Sequence, residues 1–324
     1  MKKHTDLISL PLIIENILLK ESDMNHLVSM DDINILLEED YGITVDRRSV
    51  YKAIRALNEN GRTVIYERKD GTKGYRIEHV LSSSEALIFL NAIQEAPGLS
   101  VSTTESLHDK IRPMLSVYEE KTLTEFYGNP NKTDNNNVVA NIQLLLDAIN
   151  KNNIVEFSYY DMTITSSRRY RRKNHRYHLE PYAIVSYGGR YYCIFHDASH
   201  DSFANYRIDK MDRIINTDIE FTRIPFHLES HLNASFQMYH GRGESIILEV
   251  DHSLEGIVFE QFGKNIIVTK NEEESFTVSI RSAVTPTLIS WILMFEDKIT
   301  VIKPASLIKE ITRLADNIHK KYKK

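Results

Sequence analysis

A single cysteine, Cys193, in 324 residues leaves no partner for an intrachain disulfide; this excludes a disulfide-stapled secreted scaffold and fits a reducing, cytoplasmic setting. The same scarcity excludes a thiolate zinc finger. No apolar run approaches the ~18 residues of a membrane span. The start, Met1-Lys2-Lys3, is basic, but Pro11, Glu15 and Asn16 interrupt the apolar stretch behind it, which predicts a helix and not a leader peptide. A strong bulk charge is also lacking: 40 Lys and Arg stand against 45 Asp and Glu, net −5, so affinity for nucleic acid has to come from local charge. No phosphate-cradling glycine loop, serine hydrolase elbow or kinase signature is present, so neither an enzyme nor a bound cofactor is expected. His175-x-x-His178 and His196-x-x-x-His200 do not suit a metal: in the first, strand residues three apart point to opposite faces, and the sequence fixes no carboxylate partner for either.

What is present is unevenly distributed. Residues 1–46 hold three Lys/Arg and ten Asp/Glu, net −7, while residues 47–76 hold nine and three, net +6. A second cluster, Arg168 to Arg176, contains six cations and no acid. Helical spacing places a first helix over 7–20. Ser29-Met30-Asp31-Asp32 resembles a capping box opening a second, with Ile33, Leu36, Leu37 and Tyr41 on its buried face and Gly42 ending it. Asp46 caps a third helix over 47–59, and two short strands follow, joined through Asp70-Gly71.

This order is that of a winged helix-turn-helix. At about 100° per residue, Val50, Ala53, Ile54 and Leu57 share one face of the third helix, and Arg48, Tyr51, Lys52 and Arg55 share the opposite one. Such a helix suits the major groove of double-stranded DNA, with cations for guanine edges and phosphates and with Tyr51 and Ser49 for phosphate oxygens. Arg47 stands at its first turn, and Arg68, Lys69 and Lys73 at the hairpin tip reach the flanking backbone.

The expected domains are 1–80, a helical connector with a polar linker over 81–137, a β-rich segment over 138–222, and an α/β tail over 240–324. The connector contains helices from Ser82, over 103–116 and over 117–127; its linker, 128–137, is the most turn-rich stretch of the chain. A helix with Ile142, Leu145, Leu146 and Ile149 on one face precedes strands at 153–160, 177–186, 190–196, 203–209 and 214–221, which suggest a small barrel. The tail follows the order βαββαβα of a two-layer α+β domain, ending in a helix with Leu307, Ile311, Leu314 and Ile318 on one face. In the barrel, Arg190 and Tyr192 share a strand face and Arg207 lies on a later strand. With Ser158 and Tyr159 on the first strand, they suit an anionic ligand with a stacking part, such as a nucleotide or a short single strand. Changing Arg207 to Ala is expected to alter the response to that effector and leave the fold intact.

The N-terminal domain resembles that of DeoR-like regulators. Residues 140–221 resemble a WYL domain, with Tyr191-Tyr192-Cys193 at the Trp-Tyr-Leu signature and further likeness in His178–Tyr182, Gly189–Ile194 and Tyr206–Asp209. The tail is similar to the WCX extension, with Trp291–Phe295 on a helix before the strand Thr300–Ile302 and the turn Lys303-Pro304. Tyr for Trp at 191 and Cys for Leu at 193 keep bulk or apolarity. The resemblance implies an α+β multidomain fold: winged helix-turn-helix, helical connector, Sm-like β-barrel and C-terminal two-layer domain. It also implies transcription control by a homodimer, gated by a nucleic-acid-like effector held by Ser158, Tyr159, His178, Arg190, Tyr192 and Arg207. A different class, an RNA- or single-strand-binding accessory protein, would use the barrel as its main surface.

Overall fold

The computed structural model describes residues 9–122, 128–233, 235–236, 238–240, 243–263 and 266–323. The chain divides into two compact units, Met1–Val138 and Val139–Lys324. Among the described residues no helix is long and apolar enough to cross a membrane.

The first unit starts with three helices, α1 (Leu10–Glu21), α2 (Met30–Tyr41) and α3 (Arg47–Glu59). Pro11 falls in the first turn of α1, where its missing N–H costs nothing; Leu7, expected on this helix, lies outside the described residues. Ser29 and Asp32 form the reciprocal capping box, and Gly42, in left-handed conformation, closes α2. Ile33 and Leu37 are buried, but Tyr41 is 41% exposed, because the last turn of α2 runs past the core that the earlier turns cover. The hairpin β1 (Val64–Lys69) and β2 (Thr72–Ile77) turns through Asp70 and Gly71, both at positive φ, the geometry that matches strand twist. Val28 bridges to Tyr75 and extends this ribbon. A Cβ on Gly74 would lie 2.7 Å from the Val28 carbonyl oxygen, so only glycine fits there.

In the connector, α4 (Ser83–Glu95) opens on the Ser82–Glu85 capping box. It is followed by α5 (Val101–Ile111), a 3₁₀ turn containing Pro113, and α6 (Val117–Thr122). Residues 123–127, expected to continue this last helix, lie outside the described residues. The polar stretch 128–137 packs on the connector: the Lys132 ammonium donates to the carbonyls of Ile93 and Ala96 and to the Thr104 hydroxyl, and the Thr133 N–H donates to Pro97.

The second unit opens with α7 (Val138–Lys151), which buries Leu145 and Ala148 and leaves Leu146 41% exposed, against the expectation from spacing. A six-stranded antiparallel sheet follows: β3 (Asn153–Met162), β4 (Arg168–Tyr170), β5 (Tyr177–Tyr187), β6 (Arg190–Asp197), β7 (Ser202–Arg207) and β8 (Met211–Glu220). Its order is β4-β3-β5-β6-β7, with β8 also on β3. Among the described residues no ladder joins β7 to β8, so the sheet is a half-barrel and does not close as a small barrel would. Strand β4 went unforeseen because its sequence is two arginines and a tyrosine, a charge run without alternation.

Three short elements, α8 (Leu228–Asn233), β9 (Ser235–Phe236) and β10 (Tyr239–His240), lead to the C-terminal domain. That domain has the expected order: β11 (Gly243–Asp251), α9 (Glu255–Phe262), β12 (Ile267–Asn271), β13 (Ser275–Ala283), α10 (Pro286–Leu293), β14 (Ile299–Lys303) and α11 (Ala305–Tyr322). The antiparallel sheet runs β12-β13-β11-β14, and its Ile246, Leu248, Val278 and Ile280 pack on Val258, Leu288, Trp291 and Leu307 from the helices. Ile318, expected on that face of α11, is 52% exposed, since the helix extends beyond the sheet.

The neighbours Leu145 and Leu146 test this packing. Replacing Leu145, fully buried, with Ala should cost about 2–5 kcal/mol. Leu146→Ala should cost less than about 1 kcal/mol, since surface changes do little. Thermal and urea unfolding of the two variants reads the difference.

Candidate functional site

In the first unit, the Asp46 carboxylate accepts the Ser49 N–H at 2.7 Å and also bonds the Ser49 hydroxyl; these contacts hold Asp46 below its ordinary value. Val50, Ala53, Ile54 and Leu57 are all buried, which turns Arg48, Tyr51, Lys52 and Arg55 outward. The Asn58 side chain both accepts from and donates to the Val64 backbone, at 2.7 and 3.2 Å, fastening the end of α3 to the hairpin. Burial, with the neighbouring Tyr51 hydroxyl adding to it, pushes the Tyr75 hydroxyl up to about 12. The helix and the hairpin are therefore braced at Asn58, which sequence reading did not anticipate. Asn58 carried no signal, being a polar residue on an exposed turn of a helix.

The nine residues expected at this surface differ in availability. Arg48, Lys52, Arg68 and Lys73 are exposed and make no ion pair among the described residues; Arg68 and Lys73 face each other across the hairpin. Arg47 pairs with Asp31 and Arg55 with Glu59, both at 2.8 Å on the surface, where such pairs are worth about 0–1 kcal/mol and are readily exchanged. Tyr51 is 53% exposed, with its hydroxyl neighbouring that of Tyr75, and Ser49 is half-buried beside Asp46. Lys69 folds back from the hairpin tip, donating to the Met24 carbonyl and Asn25.

In the second unit the six residues expected around an effector do not converge on one face. Tyr192 pairs directly with Arg207, and alternation puts Arg190 beside them. Among the described residues the buried Arg190 Nε has no hydrogen-bond partner. Tyr159 lies on the opposite face, among Phe157, Tyr177, Phe195 and Tyr206, whose ring centroids lie 5.1 to 6.3 Å apart in the contacts they make. Burial raises the Tyr159 hydroxyl well above its ordinary value, although it accepts the Arg207 N–H at 3.3 Å. Ser158 alternates away from Tyr159 and is buried opposite Asp212. His178 is exposed, 3.4 Å from Glu156.

Arg207 grips Asp209 through two bonds of 3.0 and 2.6 Å, and Asp209 is only 3% exposed. The expectation that Arg207→Ala spares the fold is therefore revised: the change removes two charge-assisted hydrogen bonds from a buried carboxylate and lowers stability.

The cluster 168–176 lays arginines over tyrosines on both faces of β3, Arg168 on one and Arg171 and Arg172 on the other. The guanidiniums of Arg168, Arg171 and Arg172 lie 4.5, 5.0 and 4.3 Å from the ring centres of Tyr160, Tyr159 and Tyr177. Arg171 also makes a forked bond to Asp161, which this contact lowers to about 2. Arg172 makes no ion pair among the described residues. The clue in the sequence was the spacing of cations at 168, 171 and 172 against tyrosines at 159, 160 and 177.

His196 is 5% exposed, with Nδ1 2.7 Å from Glu180 and Nε2 3.2 Å from Asp201, so both ring nitrogens are engaged; His200 contacts Asp197. Among the described residues no group of three or more His, Cys, Asp or Glu is placed to hold a metal ion. Cys193 is buried, and burial pushes its thiol up.

Burial alone would lower His196, but the two carboxylates outweigh it and hold it above its ordinary value. The stability this contributes is complete below the unfolded value of about 6.5 and is lost as pH rises through the raised folded value. Unfolding from pH 5 to 9 should show this loss in the wild type, and a smaller one in His196→Gln.

Comparison with known proteins gives two family matches: the WYL domain at residues 140–215 and the WCX domain at residues 243–318. No curated protein matches the chain. Among solved structures, proteasome accessory factor B/C (PafBC) of Arthrobacter aurescens is 14% identical with a TM-score of 0.27, over 94% of this chain. This chain spans 46% of the PafBC chain, less than half its length. A CRISPR Cas-related protein is 15% identical with a TM-score of 0.35, over 98% of this chain and 86% of its own. The chain thus carries a WYL domain at residues 140–215, followed by a WCX domain at residues 243–318.

Proposed function

We propose that the protein is a sequence-specific, DNA-binding transcriptional regulator without catalytic activity, working as a homodimer and gated by a nucleotide-like or single-stranded nucleic-acid effector at its WYL domain. The reading rests above all on α3, whose apolar face is buried while Arg48 and Lys52 project unpaired. With the braced hairpin it has the form of a winged helix-turn-helix: α3 enters the major groove, and Arg68 and Lys73 meet flanking phosphates. Arg47 and Arg55 join by exchanging weak surface pairs for phosphates. A homodimer fits two half-sites about one helical turn apart.

For the effector, Arg171 and Arg172 over Tyr159 and Tyr177 supply both charge and stacking surface, the two needs of a single strand. The same layer favours the second reading, an RNA- or single-strand-binding accessory protein. The two differ in the preferred ligand of the full chain, duplex or single strand.

Alanine at Arg48 or Lys52 should cost about 1–3 kcal/mol each where the side chain reads a base, so the double variant should lose at least about tenfold in gel-shift affinity. Wild-type affinity in the double variant would remove α3 from the interface. Adding a short single-stranded oligonucleotide should shift duplex affinity in the wild type, and Arg172→Ala should blunt that shift while leaving basal binding unchanged. An equal shift in both would take the arginine layer out of the effector site.

A further inference from the structure

His79 lies on the segment that leads from β2 into α4, between the helix-and-hairpin part of the first unit and its connector. Its side chain is only 7% exposed, and both ring nitrogens face backbone carbonyls. Nε2 lies 2.8 Å from the Ser22 oxygen at the end of α1, and Nδ1 lies 3.0 Å from the Met114 oxygen in the 3₁₀ turn of the connector. A carbonyl only accepts, so the two bonds together require a proton on both nitrogens, which is the imidazolium form. A neutral ring carries one N–H and serves one of the two. The Glu119 carboxylate, 3.7 Å from Nδ1, supplies the counter-charge.

The same connector stretch is docked by side chains that follow α1. The Ser116 hydroxyl donates to Asp23 at 2.9 Å, and the His26 ring stacks on Tyr118 with centroids 3.8 Å apart. A cavity of about 580 Å³ opens at this junction, and Asp23, His26, Arg76, Glu78, Glu85 and Glu119 are the charged groups that border it with His79 and Tyr118. Burial would raise Asp23, but hydrogen bonds from Asn25, His26 and Ser116 outweigh it and hold it below its ordinary value; the Ser82 N–H and hydroxyl hold Glu85 low. Histidine is the side chain that ordinarily changes charge between pH 5 and 8, and the junction is built on two of them.

We propose that His79 is a protonation-controlled clasp between the helix-and-hairpin part and the connector, closed on both carbonyls when charged and released from Met114 when neutral. The proton leaves Nδ1 for solvent. Ser22 is fully buried, so its carbonyl has no water to turn to, whereas Met114 is 43% exposed and its carbonyl can bond water. Acid thus tightens the hold on the connector and alkali loosens it. The clasp acts within the first unit and does not depend on what α3 binds.

The test follows the full chain, labelled with ¹⁵N-histidine, by heteronuclear spectra from pH 5 to 9, the His79 signals being identified by their loss in His79→Gln. At the acidic end both ring nitrogens should carry protons, and on raising pH Nδ1 alone should take the shift of an unprotonated nitrogen. Hydrogen exchange at the bonded amides of Leu115, Ser116, Glu119 and Glu120, corrected for the intrinsic effect of pH, should rise at least about tenfold over the same interval, as a bond from a charged donor is lost. His26→Gln should keep that step, and His79→Gln should exchange fast at every pH. A wild-type exchange rate with no step between pH 5 and 9 overturns the proposal, and reading it needs no variant. So does loss of the Nε2 proton first, a step of equal size in His79→Gln, or a step abolished by His26→Gln.

Discussion

Burial of four residues on one short helix fixes much of what this protein can do. Val50, Ala53, Ile54 and Leu57 pack into the core of the first unit, so α3 cannot roll about its axis without exposing them. Exposing even two such side chains would cost several kcal/mol, at roughly 1.5–3 kcal/mol each. The orientation of Arg48 and Lys52 is therefore set by packing and not by their own contacts. Asn58 then fastens the hairpin to the same helix, joining the two elements into one surface. Rigid presentation is what reading a groove requires, since a cation that wanders contributes charge but no register.

The second unit handles charge differently. Its cations are mostly paired or stacked: Arg171 with Asp161 and Tyr159, Arg207 with Asp209, and Arg168 with Tyr160. These contacts keep the arginines ordered, and Tyr159 lies with its ring under Arg171 while its hydroxyl accepts the backbone N–H of Arg207. An anionic ligand approaching Arg171 meets a guanidinium already in place, and the ordering entropy of that long side chain is largely spent beforehand.

Much of this was legible in the sequence where local chemistry decides structure. The caps at Ser29, Asp46 and Ser82, the Asp70-Gly71 turn and the βαββαβα order of the tail all follow from propensity and periodicity. The two faces of α3 were legible for the same reason, since a helix with one apolar stripe has one way to pack. What was not legible depends on partners distant in sequence. Spacing alone put Leu146 and Ile318 in a core whose extent only the fold sets. Tyr159 and Arg207 looked like members of one pocket, but the ladder puts their side chains on opposite faces, and Asp209 occupies Arg207. Strand β4 was hidden because its pairing with β3 is supported by arginine–tyrosine contacts and not by an apolar stripe.

The central claim is that α3 reads duplex DNA. Selection of bound fragments from random duplex DNA by the full chain tests it most directly. The account predicts enrichment of a pseudo-palindrome whose half-sites lie about one helical turn, roughly 34 Å, apart. Recovered fragments indistinguishable from the starting pool would contradict it.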